Sequence, residues 1–300
     1  MKLFFNQLVV LAILGMLYVA TGCNSKQTAE QKTADSLANC IADGMPTRAA
    51  AIVAAQNQIE TGAGSTQGMV WIKGGKFLMG SDDFPDSRPV HEVTVGGYWM
   101  DEHEVTNAQF SAFIEATKYI TVAERALNPN DYPGVPIDKL VPGSAVFTST
   151  ATKVSLDNPL QWWNYVGGAN WANPEGPNST LKGREHEPVI HVAYEDAAAY
   201  AKWAGKRLPT EAEWEFAARA GKEHTLYYWG NTLKPNGKWV ANIYQGSFPD
   251  HNLKEDGFER VAPVKSYPAN AFGLYDMDGN VWEWCSDFYR TDYYQKSPKL

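Results

Sequence analysis

The 300-residue sequence contains three cysteines, no block of basic residues and no apolar run long enough for a comfortable membrane-spanning helix. Each shortage removes a class of protein. Cys40 and Cys285 could be oxidised to a disulfide in an exported protein, but nothing in the spacing of Cys23, Cys40 and Cys285 supports a pair. A net charge of −8 with no clustered Lys or Arg argues against a nucleic-acid partner. No internal repeat is visible. The phosphate-cradling patterns G-x-G-x-x-G and G-x-x-x-x-G-K are missing, and so is the zinc pattern H-E-x-x-H. His91-Glu92 and His103-Glu104 look like halves of that zinc pattern, but neither has a second His four residues on. They read as strand residues, with Glu104 in a polar role in a groove.

The apolar run Leu8 to Ala20 follows a positive start at Lys2 and leads into small residues, the pattern of an export signal. Val19-Ala20-Thr21-Gly22-Cys23 resembles a bacterial lipobox, in which Cys23 becomes the lipidated first residue. An ordinary signal peptide or an uncleaved anchor is the alternative. Asn24 at the next position resembles lipoproteins sent to an outer membrane, so the expected address is the cell envelope, attached through lipid at the outer membrane or facing the periplasm. Residues 24–67, rich in Ala, Thr, Gln and Ser, read as a flexible tether. The whole chain is 44% hydrophobic, enough to bury a large core, and a single domain is expected over residues 68–300.

That domain is organised around residues 191–221. Ala197, Tyr200, Ala201 and Ala204 fall on one face of a helix. Gly205 stands where a helix C-terminus wants a left-handed residue, and Pro209 cannot continue the helix. Thr210-x-x-Glu213 is a capping box that starts a second helix. The spacing therefore predicts two helices joined by a rigid elbow. Thr106-x-x-Gln109 is a second capping box, followed by Phe110, Phe113 and Ile114 on one face. Gly74-Gly75 between two apolar runs predicts a hairpin of Met69–Ile72 with Phe77–Met79. His91 to Val95 alternates like a half-buried strand, and Gly96-Gly97 is expected to turn it into Tyr98-Trp99-Met100. From Pro129 to Thr180 periodicity gives way to Pro, Gly, Asn and Trp, and a loop that long usually carries function.

The segment WAGKRLPTEAEWEFAARAG resembles the signature of the formylglycine-generating enzyme (sulfatase-modifying factor) family. GMVWIKGGKFLMGSDD, YWMDEHEVTNAQF, GANWANPEGPNST and ANAFGLYDMDGNVWEW agree with it in the family's order, from about Met69 to Tyr294. The resemblance implies an α+β, C-type-lectin-like fold with much irregular structure. It also implies an activity, oxidation of a cysteine in an unfolded sulfatase segment, Cys-x-Pro-x-Arg, to Cα-formylglycine with O₂ and copper(I). Alternatives on the same fold are a non-catalytic binding or assembly lipoprotein, of the gliding-motility kind, and a lectin-like carbohydrate binder.

Two loops concentrate hard oxygen donors, and by spacing alone solvated turns would explain them. The resemblance implies two structural calcium sites instead, since calcium takes carboxylate, amide and carbonyl oxygens from flexible loops. The first maps onto the side chains of Asn242 and Asp256 with the carbonyls of Ile243 and Phe258. The second maps onto the side chains of Asp276 and Glu283 with the carbonyls of Gly279 and Val281. Eleven Trp and fifteen Tyr are many for this length. Trp282 matches the aromatic residue that lines the family's reactive site. The loop bearing Trp162, Trp163 and Trp171 is expected to line a groove for an extended peptide, or to stack on sugars. Soft thiolates select copper(I), and the family supplies two cysteines from a later segment. Neither Cys40 nor Cys285 matches them, and Ala201 and Ala218 stand where some exported relatives carry disulfide cysteines. The reading is of a domain incomplete at its C-terminus.

Overall fold

The computed structural model describes residues 65–296, all inside the second of two units into which the chain divides, residues 47–300. Cys23, Cys40 and nearly all of the expected tether lie outside the described residues. Two antiparallel pairs open the domain. Strand β1 (Met69–Ile72) pairs with β4 (Tyr98–Asp101), and β2 (Gly75–Met79) pairs with β3 (His91–Val95). One register runs through both pairs, Ile72 facing Tyr98 and Gly75 facing Val95, so they form a single ribbon with a break in the middle.

The expected Gly74-Gly75 hairpin is not formed. Gly74 and Gly96 meet backbone to backbone at the break, and a Cβ on Gly74 would lie 2.4 Å from the Gly96 carbonyl oxygen. Both Gly-Gly pairs therefore serve a close backbone approach, and the ribbon's actual turn lies between Met79 and His91. Phe77, Met79, Val93 and Val95 alternate inward and are buried, while Lys76 and Glu92 pair at 2.8 Å on the outer face.

The inner face of the ribbon packs on helix α3 (Glu211–Arg219) through Phe216 and Ala217, with Leu274 and Met277 completing the core. Glu215 accepts the Gly80 N–H at 2.8 Å and Arg219 donates to the Gly80 carbonyl at 2.8 Å, which clamps the end of β2 to this helix. A second core joins α1 (Asn107–Thr117) to α2 (Tyr194–Trp203) through Phe110, Phe113, Trp171 and Tyr200. Both predicted capping boxes are present. Thr106 accepts from the Gln109 N–H and Thr210 from the Glu213 N–H, each with the reciprocal side-chain bond. Gly205 has φ +68°, as the end of α2 requires.

The irregular stretch holds one hairpin, β5 (Gly143–Phe147) with β6 (Trp163–Gly167), and several short 3₁₀ turns. A minimal pair, β7 (Gly246–Ser247) with β8 (His251–Asn252), and a last turn, α4 (Tyr293–Lys296), close the described chain. The architecture is α+β with much irregular structure. Among the described residues no helix is long and apolar enough to cross a membrane.

Candidate functional site

The elbow between α2 and α3 forms one wall of a concave cavity of about 860 Å³. Its shape is held by charge. Arg207 grips Glu213 with two bonds of 2.7 Å while Glu213 also accepts the Thr210 N–H at 2.8 Å, so the helix cap and the elbow share one carboxylate. Lys206 reaches Asp101 at the end of β4, 2.5 Å away. The facing wall is aromatic. Phe147 stacks on Phe248 with centroids 5.8 Å apart, and Trp163 and Tyr244 meet this pair edge-on. At the mouth Trp282 is fully exposed, and Trp284 donates its indole N–H to the Val192 carbonyl at 2.8 Å.

The floor is polar and acidic. Glu104 is buried, with Oε1 accepting from Asn280 at 3.1 Å and Oε2 without a partner. Burial, and then the nearby Asp276 and Glu283 carboxylates, push its pKa up to about 8. Burial likewise raises Asp276, whose Oδ1 is also unpartnered. Glu283 is open to solvent at the cavity surface, yet protein surrounds it closely enough that burial, with a further push from Asp276, lifts it to about 7. At neutral pH such a floor holds a proton or a cation more readily than it holds bare charge.

The structure separates the three expected groove tryptophans. Trp163 is 44% exposed and lines the cavity, whereas Trp162 is 6% exposed against Phe248 and Trp171 is 8% exposed within the α1–α2 core. Trp162, just before β6, packs on Phe248, and Trp163, the first residue of β6, packs on Phe147 and stays exposed, a difference that composition alone cannot resolve. Glu104 and Trp282 both line the cavity, as do Asn242, Ile243, Val281 and Glu283. Asp256, Phe258, Asp276 and Gly279 lie behind its surface. Two buried or half-buried amides that the sequence reading missed hold these loops together. Gln245 donates to the Ile243 carbonyl and accepts the Asp256 N–H at 3.3 Å. Asn280 bonds both Asn242 and Glu104. Asn at a left-handed position, φ +65° here, was the signal available for Asn280, and no such mark distinguishes Gln245.

Residues 55–300 match the sulfatase-modifying factor enzyme 1-like domain. The chain belongs to the sulfatase-modifying factor family. It is 51% identical over 223 residues to the formylglycine-generating enzyme of Mycobacterium tuberculosis, covering 74% of each chain. It is also 43% identical over 238 residues to inactive C-alpha-formylglycine-generating enzyme 2 of Bos taurus, covering 78% of this chain and 75% of that protein. Among solved structures, PvdO from Pseudomonas aeruginosa shares 26% identity with a TM-score of 0.48, over 77% of this chain and 74% of that one.

The metals that this sulfatase-modifying factor family implies can be set against the donors. Calcium fits. Asp256 Oδ1 accepts the Phe258 N–H at 3.0 Å while its Oδ2 is buried and unpartnered, and Asp276 Oδ2 accepts the Lys265 N–H at 2.9 Å while its Oδ1 is buried near Glu104. Asp256 Oδ2 is thus a buried oxygen with no donor beside it, next to loop carbonyls, while Asp276 Oδ1 lies by the raised Glu104 carboxyl, with which it can share a proton or an ion. No group of three or more His, Cys, Asp or Glu side chains able to hold a metal is present among the described residues, and both expected calcium sets would instead combine two side chains with two carbonyls. Copper(I) does not fit the described residues. The expected site takes two thiolates, and these residues hold one free thiol, Cys285, which burial and Asp287, Glu283, Glu211 and Glu213 push up to about 12.

Proposed function

We propose that this chain serves formylglycine generation by taking an extended, cysteine-bearing sulfatase segment, Cys-x-Pro-x-Arg, into the cavity, where the cysteine is oxidised with O₂ to Cα-formylglycine. The observation that carries the reading is the cavity itself, with its aromatic wall, its fully exposed Trp282 at the mouth and its polar floor, on a chain 51% identical to a formylglycine-generating enzyme. An extended peptide suits such a trough, because aromatic faces cover its side chains while elbow and floor groups bond its amides. The thiolates that copper would need are not among the described residues. A second reading, supported by 43% identity to a relative named inactive, is a non-catalytic binder of the same segments. Calcium at the two loops and a lipid on Cys23, holding the protein at the envelope membrane, belong to the same proposal.

Binding and conversion are separable. A fluorescent Cys-x-Pro-x-Arg peptide should bind the wild-type chain, and Trp282→Ala should weaken binding without lowering the melting temperature, since the indole touches only solvent. Mass spectrometry of the peptide after incubation with copper(I) and oxygen then reads conversion. Binding without conversion would identify the non-catalytic form. A peptide that does not bind, or binds the Trp282→Ala protein equally well, would refute the reading.

A further inference from the structure

Asn280 lies between Gly279 and Val281, the two carbonyl donors expected at the second calcium site, yet its bonds run to the first. Its N–H donates to the Asn242 carbonyl at 2.8 Å, and its Oδ1 accepts from Asn242 Nδ2 at 2.9 Å. Asn242 Nδ2 also donates to the Arg260 carbonyl at 2.8 Å, so both its N–H groups are engaged and its Oδ1 remains as the acceptor end of the amide. The remaining capacity of Asn280 is spent locally. Oδ1 accepts the Ala262 N–H at 2.8 Å, and Nδ2 donates to the Ala262 carbonyl at 3.2 Å and to Glu104 at 3.1 Å. The two loops also touch directly, for a Cβ on Gly279 would lie 2.6 Å from the Asn242 carbonyl oxygen.

We propose that Asn280 couples the two calcium loops, so that an ion bound at either one raises the affinity of the other. This rests on the calcium reading above. The physical reason is shared ordering. An ion at the first site fixes Asn242, and Asn242 holds the side chain and N–H of Asn280. The backbone that presents the Gly279 and Val281 carbonyls is thereby ordered before the second ion arrives, and an ion entering a loop already ordered loses less conformational entropy. Linkage makes the effect reciprocal.

Calorimetric titration of the full chain with calcium measures it. Asp256→Ala leaves only the second site and Glu283→Gln only the first, each giving a single-site affinity. In the wild type the overall two-ion constant should exceed the product of the single-site constants by about fivefold or more, the usual lower range of coupling. In the Asn280→Gly background, which keeps the left-handed backbone and removes the amide, the same ratio should fall to about one. A wild type that binds fewer than two ions ends the calcium reading and this proposal with it. Two ions with a ratio of one leave calcium in place and overturn the coupling, and an unchanged ratio in Asn280→Gly overturns the role of Asn280. Hydrogen exchange keeps the idea testable should that variant not fold. In Glu283→Gln, which retains Asn280, calcium at the first site should slow exchange at the Asn280 and Ala262 amides, and unchanged exchange there would count against it.

Discussion

Asp196→Ala should destabilise the domain severely while leaving every cavity side chain in place. Asp196 is completely buried three residues into α2, where Ala193 at the N-cap has no side chain able to cap. Its carboxylate does that work and more. Oδ2 accepts the Ala193 N–H at 2.9 Å, and Oδ1 accepts the Val122 N–H at 3.0 Å and the Tyr119 hydroxyl at 3.0 Å, so one side chain starts a helix and ties down the 119–125 segment. Alanine leaves three donors without an acceptor, each costing about 1–3 kcal/mol when buried. Because the three share one site and do not add fully, the expected loss is about 3–5 kcal/mol. For a domain of this size that lowers the melting temperature by about 6–20 °C. Asp196→Asn should lose less, since one acceptor oxygen remains while its amide N–H₂ is turned toward another donor. Thermal and urea unfolding monitored by circular dichroism would measure both. An Asp196→Ala protein within about 1 kcal/mol of wild type would show that water or rearrangement satisfies these donors, and the reasoning would fail.

Three further outcomes are expected. Burial holds His191 below the usual histidine range, with Nε2 donating to the Pro174 carbonyl and Nδ1 facing Ser144. The unfolded chain therefore takes up its proton first, and stability present above about pH 6.5 is lost as pH falls toward the folded pKa. His191→Asn should flatten that decline between about pH 8 and pH 5 in melting experiments, and an identical slope would refute it. Chelation of calcium should lower the wild-type melting temperature, because an ion at a hundredfold excess over its dissociation constant contributes about 2.7 kcal/mol. Asp256→Ala should respond less, and a wild type indifferent to chelator would end the calcium reading. Cys23→Ser should leave the membrane fraction or remain unprocessed, since stable anchoring takes more than one acyl chain. A Cys23→Ser protein still cleaved after Gly22 and still pelleting with membranes would sink the lipid proposal.

What the sequence determined by itself was everything whose cause lies within about one helical turn of its residues. Thr106 with Gln109 and Thr210 with Glu213 announce their helices because each capping box closes over three residues. Gly205 and Pro209 mark the elbow for equally local reasons, and the ordered motifs carried the family. The partners of each strand were decided elsewhere. Gly74-Gly75 has the composition of a hairpin turn, but the ribbon across the break joins residues more than twenty positions apart, and the close approach to Gly96 exists only once β3 and β4 have folded back. Trp162 and Trp163 are equal in composition and opposite in role, because only the packing of Phe248 decides which indole is covered. Glu104 was legible as a polar groove residue, but not as an acid raised to about 8. Its pKa depends on burial, Asp276 and Glu283, brought together from more than 170 positions away. Asp196 and Gln245 were silent for the same reason, and Asn280 announced a turn but not its partners. A buried polar side chain is defined by the groups that satisfy it, and here those groups arrive from other parts of the chain.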